Sequence, residues 1–367
     1  MRDNRIDLIR GFAMVTICVN HITWMLGKVE SVGQKIPTLT HYGYSSAAEI
    51  FFFMSGYMVG MVYLNKPDMR AKLLGRAFHL YRINIALFLL LASLSFVSPN
   101  MQFLQLTGLD HLSNNFPLAL VQYLLFFYCP MFTDLLLTYV ILLTASVPFS
   151  KLLKMNAMAF IVAITGLYIF SQYFPTLKLS NVATFDGKWS FNLFSYQFLF
   201  MLGVFAGHHK LFNQIFEKID KSTVLWSALS MASLVGFYAI KRYDLLGLKG
   251  QLWLAKESLG PIRILHFFVV ITALMSMLSL FKKVLNIWPL TVLALIGRQS
   301  LTAFCVSVVS CYIALAIWTT NSRSQVLYFT LAFFAVAAIA LCSYLVELKK
   351  KSGRTWHSLL IKTKEAL

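Results

Sequence analysis

Charge is scarce in this sequence, and acidic charge scarcest: 13% of the residues are charged, with 14 Asp and Glu against 32 Lys and Arg. A soluble domain averages about 25% charged residues. The shortage, together with a 58% hydrophobic content, makes lipid rather than water the solvent for most of the chain. Paired cysteines are missing as well. Cys18, Cys129, Cys305, Cys311 and Cys342 lie in or at the ends of apolar runs, without the spacing of a disulfide framework or a zinc cluster, so no metal is expected. Internal repeats and low-complexity segments are absent, and the missing repeat weighs against a secondary transporter. The net charge of +18 would suit nucleic acid, but the basic residues sit mainly in short loops between apolar runs, where they set membrane topology. The partner expected is lipid, not nucleic acid.

What is present is a succession of apolar runs, each about 20 residues and long enough to cross a hydrocarbon core. They place spans near 8–26, 46–64, 79–97, 130–149, 156–173, 192–208, 222–240, 262–281, 299–319 and 326–347. The expected fold is an all-α polytopic membrane protein of about ten transmembrane helices. An integral domain over 1–347 precedes a basic cytoplasmic tail, 348–367. With the N-terminus inside, 21 cations fall on the cytoplasmic side and 10 outside, as the positive-inside rule requires for both termini cytoplasmic. Two apolar stretches, Phe116–Tyr128 and Ile287–Ile296, suit short interfacial or re-entrant helices, with breaks at Pro130 and at Gly297-Arg298. The first run resembles a signal peptide only superficially: Asp7 and Arg10 lie inside it and no small-residue cleavage site follows. It is expected to stay in the mature protein.

Ionisable residues at membrane depth cost roughly 2.5–3.5 kcal/mol each on insertion scales and are rare without a role. Arg10 and His21 lie eleven residues apart on the first span, close to three turns and about 16 Å, so both project from nearly one face. Glu49, about one turn below the outer surface, and Asp134 enter their spans near the depth of His21. One imidazole and two carboxylates at one level suit acid–base chemistry; a histidine satisfied by a carbonyl and a snorkelling arginine are the bland alternatives. Asp3, Arg5 and Asp7 read as surface ion pairs. Ser55-Gly56-Tyr57 and Gly60 would let a helix or a ligand approach the backbone closely. Arg76, His79 and Arg82, near the start of the third span, read either as topological charge or as a phosphate site at a helix N-terminus. Outside, Lys256 and Arg263 suit an anionic group, or else lipid headgroups. Trp189 and Trp253 lie near the outer face, where an interfacial belt forms.

Arg10, ten residues and His21, followed by Glu49-Ile50-Phe51-Phe52-Phe53-Met54-Ser55-Gly56-Tyr57, resemble the acyltransferase-3 membrane superfamily. The opening 5–11 and Leu295-Ile296-Gly297-Arg298 fit the same pattern. Within it the chain looks most like the OpgC family, whose founding members are implicated in succinylating osmoregulated periplasmic glucans. The closer match rests on the stretches 128–134, 189–197, with Trp189, Asn192 and Gln197, and 259–267. The resemblance implies a bacterial inner-membrane O-acyltransferase with acyl-CoA as donor (succinyl-CoA favoured over acetyl-CoA) and a periplasmic glycan as acceptor. His21 would be the catalytic base, with Glu49 or Asp134 offsetting its charge. Arg10, Arg76, His79, Arg82 and Arg298, with Ser55, Gly56 and Tyr57, would hold the donor. Trp189, Asn192, Gln197, Lys256 and Arg263 would face the acceptor. Asn20, Ser55 or Tyr57 would serve the oxyanion, and direct transfer competes with an acyl-histidine. The rival classes are a proton-coupled glycan or acyl-donor transporter, or flippase, and a sensor without chemistry.

Overall fold

The structure, a computed structural model, describes residues 4–97, 100–182, 189–247, 251–285 and 287–365, with side chains at all of these except 97, 113, 114 and those beyond 352. Asp3 and the topological cations Arg2, Lys188 and Lys249, with the side chains of Arg354, Lys362 and Lys364, lie outside the described residues. Among the described residues every regular element is a helix. In chain order these are α1 (Asn4–Val29), α2 (Leu39–Tyr42), α3 (Ala47–Tyr63), α4 (Met69–Val97), α5 (Met101–Thr107), α6 (Asp110–Asn114), α7 (Phe116–Leu124) and α8 (Asp134–Met155). There follow α9 (Ala157–Tyr173), α10 (Leu193–His208), α11 (Leu211–Lys221), α12 (Thr223–Tyr243), α13 (Pro261–Leu280), α14 (Trp288–Arg298), α15 (Ser300–Thr320) and α16 (Gln325–Glu365).

Among the described residues seven helices are long and apolar enough to cross a membrane: α1, α4, α8, α12, α13, α15 and α16. Four shorter apolar helices among the described residues, α3, α9, α10 and α14, have 17, 17, 16 and 11 residues. The surface these helices leave is one that water would not tolerate. On α12 alone Val224, Leu225, Leu229, Met231 and Val235 are exposed, and soluble monomers rarely leave apolar patches on this scale uncovered. The chain is a multi-pass membrane protein.

Two compact units make up the chain: Met1–Ile36 with Lys283–Leu367, and Pro37–Lys282. In the first, α1 packs against α14, α15 and α16. A Cβ on Gly11 would collide with the Leu293 carbonyl, and one on Gly297 with that of Asp7, so α1 and α14 meet backbone to backbone. The α14 run therefore covers α1 with a buried Ala294–Gly297 edge, and its break into α15 falls at Gln299, one residue past the expected pair.

The second unit is built around α3 and α10. Gly56 and Gly60 face the carbonyls of Phe200 and Val204, while Gly203 and Gly207 face those of Phe53 and Tyr57. Two G-x-x-x-G stripes thus seat each helix on the other's backbone. Asparagines start several helices by accepting hydrogen bonds from first-turn amides: Asn100 before α5, Asn156 before α9, Asn192 before α10. The other run expected at the interface forms α7, which buries Ala119 and Tyr123 and exposes Leu118 and Val121. It ends before Pro130: Phe126 takes a left-handed φ of 67°, and the chain stays irregular until α8.

Candidate active site

In the first unit α1 presents Arg10 and His21 within about 20° of one another around the helix axis. Arg10 Nη2 donates to Ser300 Oγ at 2.6 Å, and Nη1 lies 3.6 Å from Asp7 Oδ1. Asp7 is fully buried, which corrects the reading of Asp7 as a surface charge. Its carboxylate turns inward because Arg10, one turn on, supplies the counter-charge there. Arg10 is accordingly anchored from both sides rather than snorkelling. His21 and its neighbour Asn20 are half-buried, while Met14 and Ile17, between Arg10 and His21 on the same face, are packed away. Arg298, at the end of α14, has its Nε 4.0 Å from Glu347 Oε1, and Gln299 bridges Glu347 and Lys350 with two bonds of 2.7 Å.

In the second unit the N-terminal ends of α3 and α13 carry a buried ion pair. Glu49 sits in the first turn of α3, where Ser46 closes a capping box: the Ser46 N–H donates to Glu49 Oε2 at 2.8 Å and the Ser46 hydroxyl donates to the same oxygen. The other oxygen, Oε1, accepts from Arg263 Nε at 2.9 Å and from Arg263 Nη2. Glu49 is fully buried and Arg263 is 7% exposed. Both oxygens of Glu49 are thus engaged inside this unit, and Arg263 already has its carboxylate.

Two residues that sequence reasoning passed over complete the cluster. His266, one turn beyond Arg263, accepts at Nδ1 from the Ser45 N–H (3.1 Å) and lies 2.7 Å from Ser45 Oγ, which leaves the ring proton on Nε2. Its ring meets Tyr44 and Phe237 edge-on and lies so close to Gly43 that a Cβ there would collide with it. Lys241, at the end of α12, donates to the carbonyls of Thr40, His41 and Gly43 at 3.3, 3.2 and 2.6 Å. The i, i+3 spacing of Arg263 and His266 could have signalled the histidine; nothing local singles out Lys241.

The remaining candidates separate by burial. Asp134, 6% exposed at the start of α8, accepts from the Ser190 N–H at 3.3 Å, where the helix dipole favours a carboxylate. Trp189 is fully buried and its indole N–H donates to Phe126 O at 3.2 Å, so it offers no face to a sugar. Asn192 is also fully buried: its Oδ1 caps α10 and its Nδ2 donates to Leu177 O. Gln197 donates to Ile164 O and Phe194 O from inside the α9–α10 contact. Lys256 remains exposed. The backbone of α10 fills the space in front of Gly56, leaving none for a ligand. Tyr57 is buried and stacks on Phe212 at 4.6 Å, and Ser55 is half-buried. Arg76, His79 and Arg82 do not form a helix N-terminus, because α4 begins at Met69. They lie two to four turns inside it, Arg76 half-buried and the other two exposed, with the Arg82 guanidinium 5.9 Å from the Phe78 ring centroid. In the loop before α8, burial and then the Asp134 charge push the Cys129 thiol well above its usual range, so it is no nucleophile near neutral pH.

Helices clad in apolar side chains, with ionisable groups locked between them, define a polytopic membrane protein. The OpgC protein family matches residues 2–351, and the chain belongs to that family. No curated protein and no solved structure matches it. Membership in this family points to a transferase that modifies glucan.

Proposed function

We propose that the chain is a transmembrane O-acyltransferase of the acyltransferase-3 type. It would move an acyl group, succinyl in preference to acetyl, from cytoplasmic acyl-CoA to a hydroxyl of a periplasmic glycan such as an osmoregulated periplasmic glucan. The observation that carries this reading is the family match over nearly the whole chain, joined to the anchored Arg10 and the half-buried His21 on one face of α1. The proposal places the protein in the bacterial inner membrane with ten spans (α1, α3, α4, α8, α9, α10, α12, α13, α15 and α16) and both termini cytoplasmic. Helix alternation then puts Arg10 at the inner end of α1, with His21 toward the outer end. Glu49, Asp134 and Arg263 occupy the outer ends of their helices.

His21 acts as general base. Its imidazole takes the proton of the glycan hydroxyl as the oxygen attacks the thioester carbonyl carbon; the C–S bond breaks, and the CoA thiolate takes the proton back from the imidazolium. Asn20, beside His21 on α1, is the donor favoured for the oxyanion. Arg10 holds the donor from below, and Arg76, His79, Arg82 and Arg298 supply cytoplasmic positive charge to its phosphates. The Glu49–Arg263 pair positions the outer ends of α3 and α13, and exposed Lys256 is the cation open to an anionic acyl or acceptor group.

The test uses purified protein in nanodiscs with labelled succinyl-CoA or acetyl-CoA and a periplasmic glucan. His21→Ala is expected to reduce transfer by about 10²–10⁴-fold, the span of general-base catalysis, at an unchanged melting temperature. Wild-type protein that binds glycan yet consumes neither donor would overturn the assignment in favour of transport.

A further inference from the structure

The four residues 256–259, just before α13, have their backbone unusually well tied down. Four successive carbonyls each accept from a different donor. Lys256 O takes the Tyr196 hydroxyl at 2.7 Å, Glu257 O the Asn192 N–H at 2.9 Å, Ser258 O the Gln172 side-chain amide at 2.7 Å, and Leu259 O the Tyr168 hydroxyl at 2.9 Å. The donors come from α9, α10 and the cap of α10, so this segment cannot shift without stranding several buried polar groups. Leu259 moreover sits at a left-handed φ of 50°, and Gly260, whose Cβ would strike Trp253 O, leads directly into α13.

Over this platform opens a cavity of about 280 Å³ lined by Pro175, Thr176, Lys178, Leu252, Glu257 and Ser258, among others. Lys178 is 9% exposed, and its ammonium lies 3.7 Å from the Glu257 carboxylate, which is 62% exposed. That separation is beyond hydrogen-bond range, so the ammonium keeps its three donors for a ligand on the cavity side of a largely buried side chain. Ser258 Oγ is buried and without a hydrogen-bond partner among the described residues. None of these side chains has a role in the acyl transfer set out above.

The chemistry of the cavity selects its ligand. Glu257 opposes an anion and Lys178 a cation, while an apolar chain would remove solvent from the pair without replacing its hydrogen bonds. A neutral, hydroxyl-rich ring satisfies all of them: its hydroxyls donate to Glu257 and accept from Lys178, and its C–H face lies on Leu252 and Pro175. We propose that this pocket is an anchoring subsite for one sugar ring of the acceptor glycan, apart from the position of acyl transfer. This rests on the reading of the protein as a glycan-modifying transferase. Arg263 follows Ser258 by five positions, so it lies no more than about 18 Å from the platform. A ring seated here therefore tethers the rest of the glycan near the outer end of α13.

The experiment is calorimetric titration of the full chain in nanodiscs, without donor, using a short and a long linear glucose oligomer. Wild type is compared with Glu257→Gln and with Thr176→Trp, which fills the cavity. Each variant is expected to bind the long oligomer about tenfold more weakly, the equivalent of one lost charge-assisted hydrogen bond, and to lose the preference for long over short. General damage to the fold would weaken both oligomers and lower the melting temperature. Variants that bind the long oligomer like wild type, or a wild type that binds neither oligomer, overturn the subsite. Pocket-dependent binding without acyl transfer leaves the subsite standing and overturns the transferase reading instead.

Discussion

Glu49 and Arg263 are buried together, so each is tolerated because the other is present. Removing one member of such a pair leaves a buried charge uncompensated, at a cost of about 3–5 kcal/mol, whereas replacing both with uncharged side chains of similar volume is often neutral. Arg263→Met is therefore expected to lower stability by about 3–5 kcal/mol, and the double change Glu49→Gln with Arg263→Met to recover most of it, read as melting temperatures in detergent. At this scale the sequence makes Glu49 conspicuous, as a carboxylate inside an apolar run. It does not reveal the counter-charge, which comes from a position 214 residues further on. Burial has the same character. Trp189 and Asn192 lie in a loop and at a helix start and read as accessible, yet they are fully buried because the chain folds over them.

Among elements, the glycines separate into two kinds. Gly203 on α10 faces backbone, and a methyl group there would collide with Phe53 O. Gly75 on α4 faces open space. Gly203→Ala is expected to destabilise by about 1–3 kcal/mol, as overpacking does. Gly75→Ala should be neutral or stabilising by up to about 1 kcal/mol, because alanine restricts the unfolded chain. Thermal unfolding of the two variants side by side checks the contrast. The sequence marks Gly56 and Gly60 as a motif that more often packs a helix but also admits a ligand, since a stripe of small residues does not name what lies on it. The partner helix α10 decides the matter. The extent of α4 follows similar reasoning: hydropathy locates its apolar part from about residue 79, while the helix continues back to Met69 through charged residues that hydropathy cannot count as span.

For the whole molecule, the ten-span topology can be tested by labelling. With the native cysteines replaced, Gln251→Cys between α12 and α13 is expected to react with an impermeant thiol reagent applied from the periplasm. Lys66→Cys between α3 and α4 is expected to react only after the membrane is permeabilised. Equal reactivity of the two from the outside would remove the assigned orientation. The division of the chain into two units, the second inserted between α1 and the last three helices of the first, has no counterpart in the sequence, where 1–347 reads as one domain. The boundaries at 36–37 and 282–283 fall between spans, as the other loops do, so nothing in the sequence sets them apart as domain boundaries.

The solvent of this protein, its helical class and the approximate position of every apolar helix were determined by the sequence itself, because a run of about 20 apolar residues in lipid has to satisfy its backbone internally. The pairing of Arg10 and His21 on one face was equally local, a consequence of helical period. Only the tertiary structure decided which charges neutralise each other, which glycines meet a helix, and that Lys178, Glu257 and Ser258 line one cavity. Those outcomes depend on helices distant in the chain packing side by side, and spacing along one strand of sequence carries no record of it.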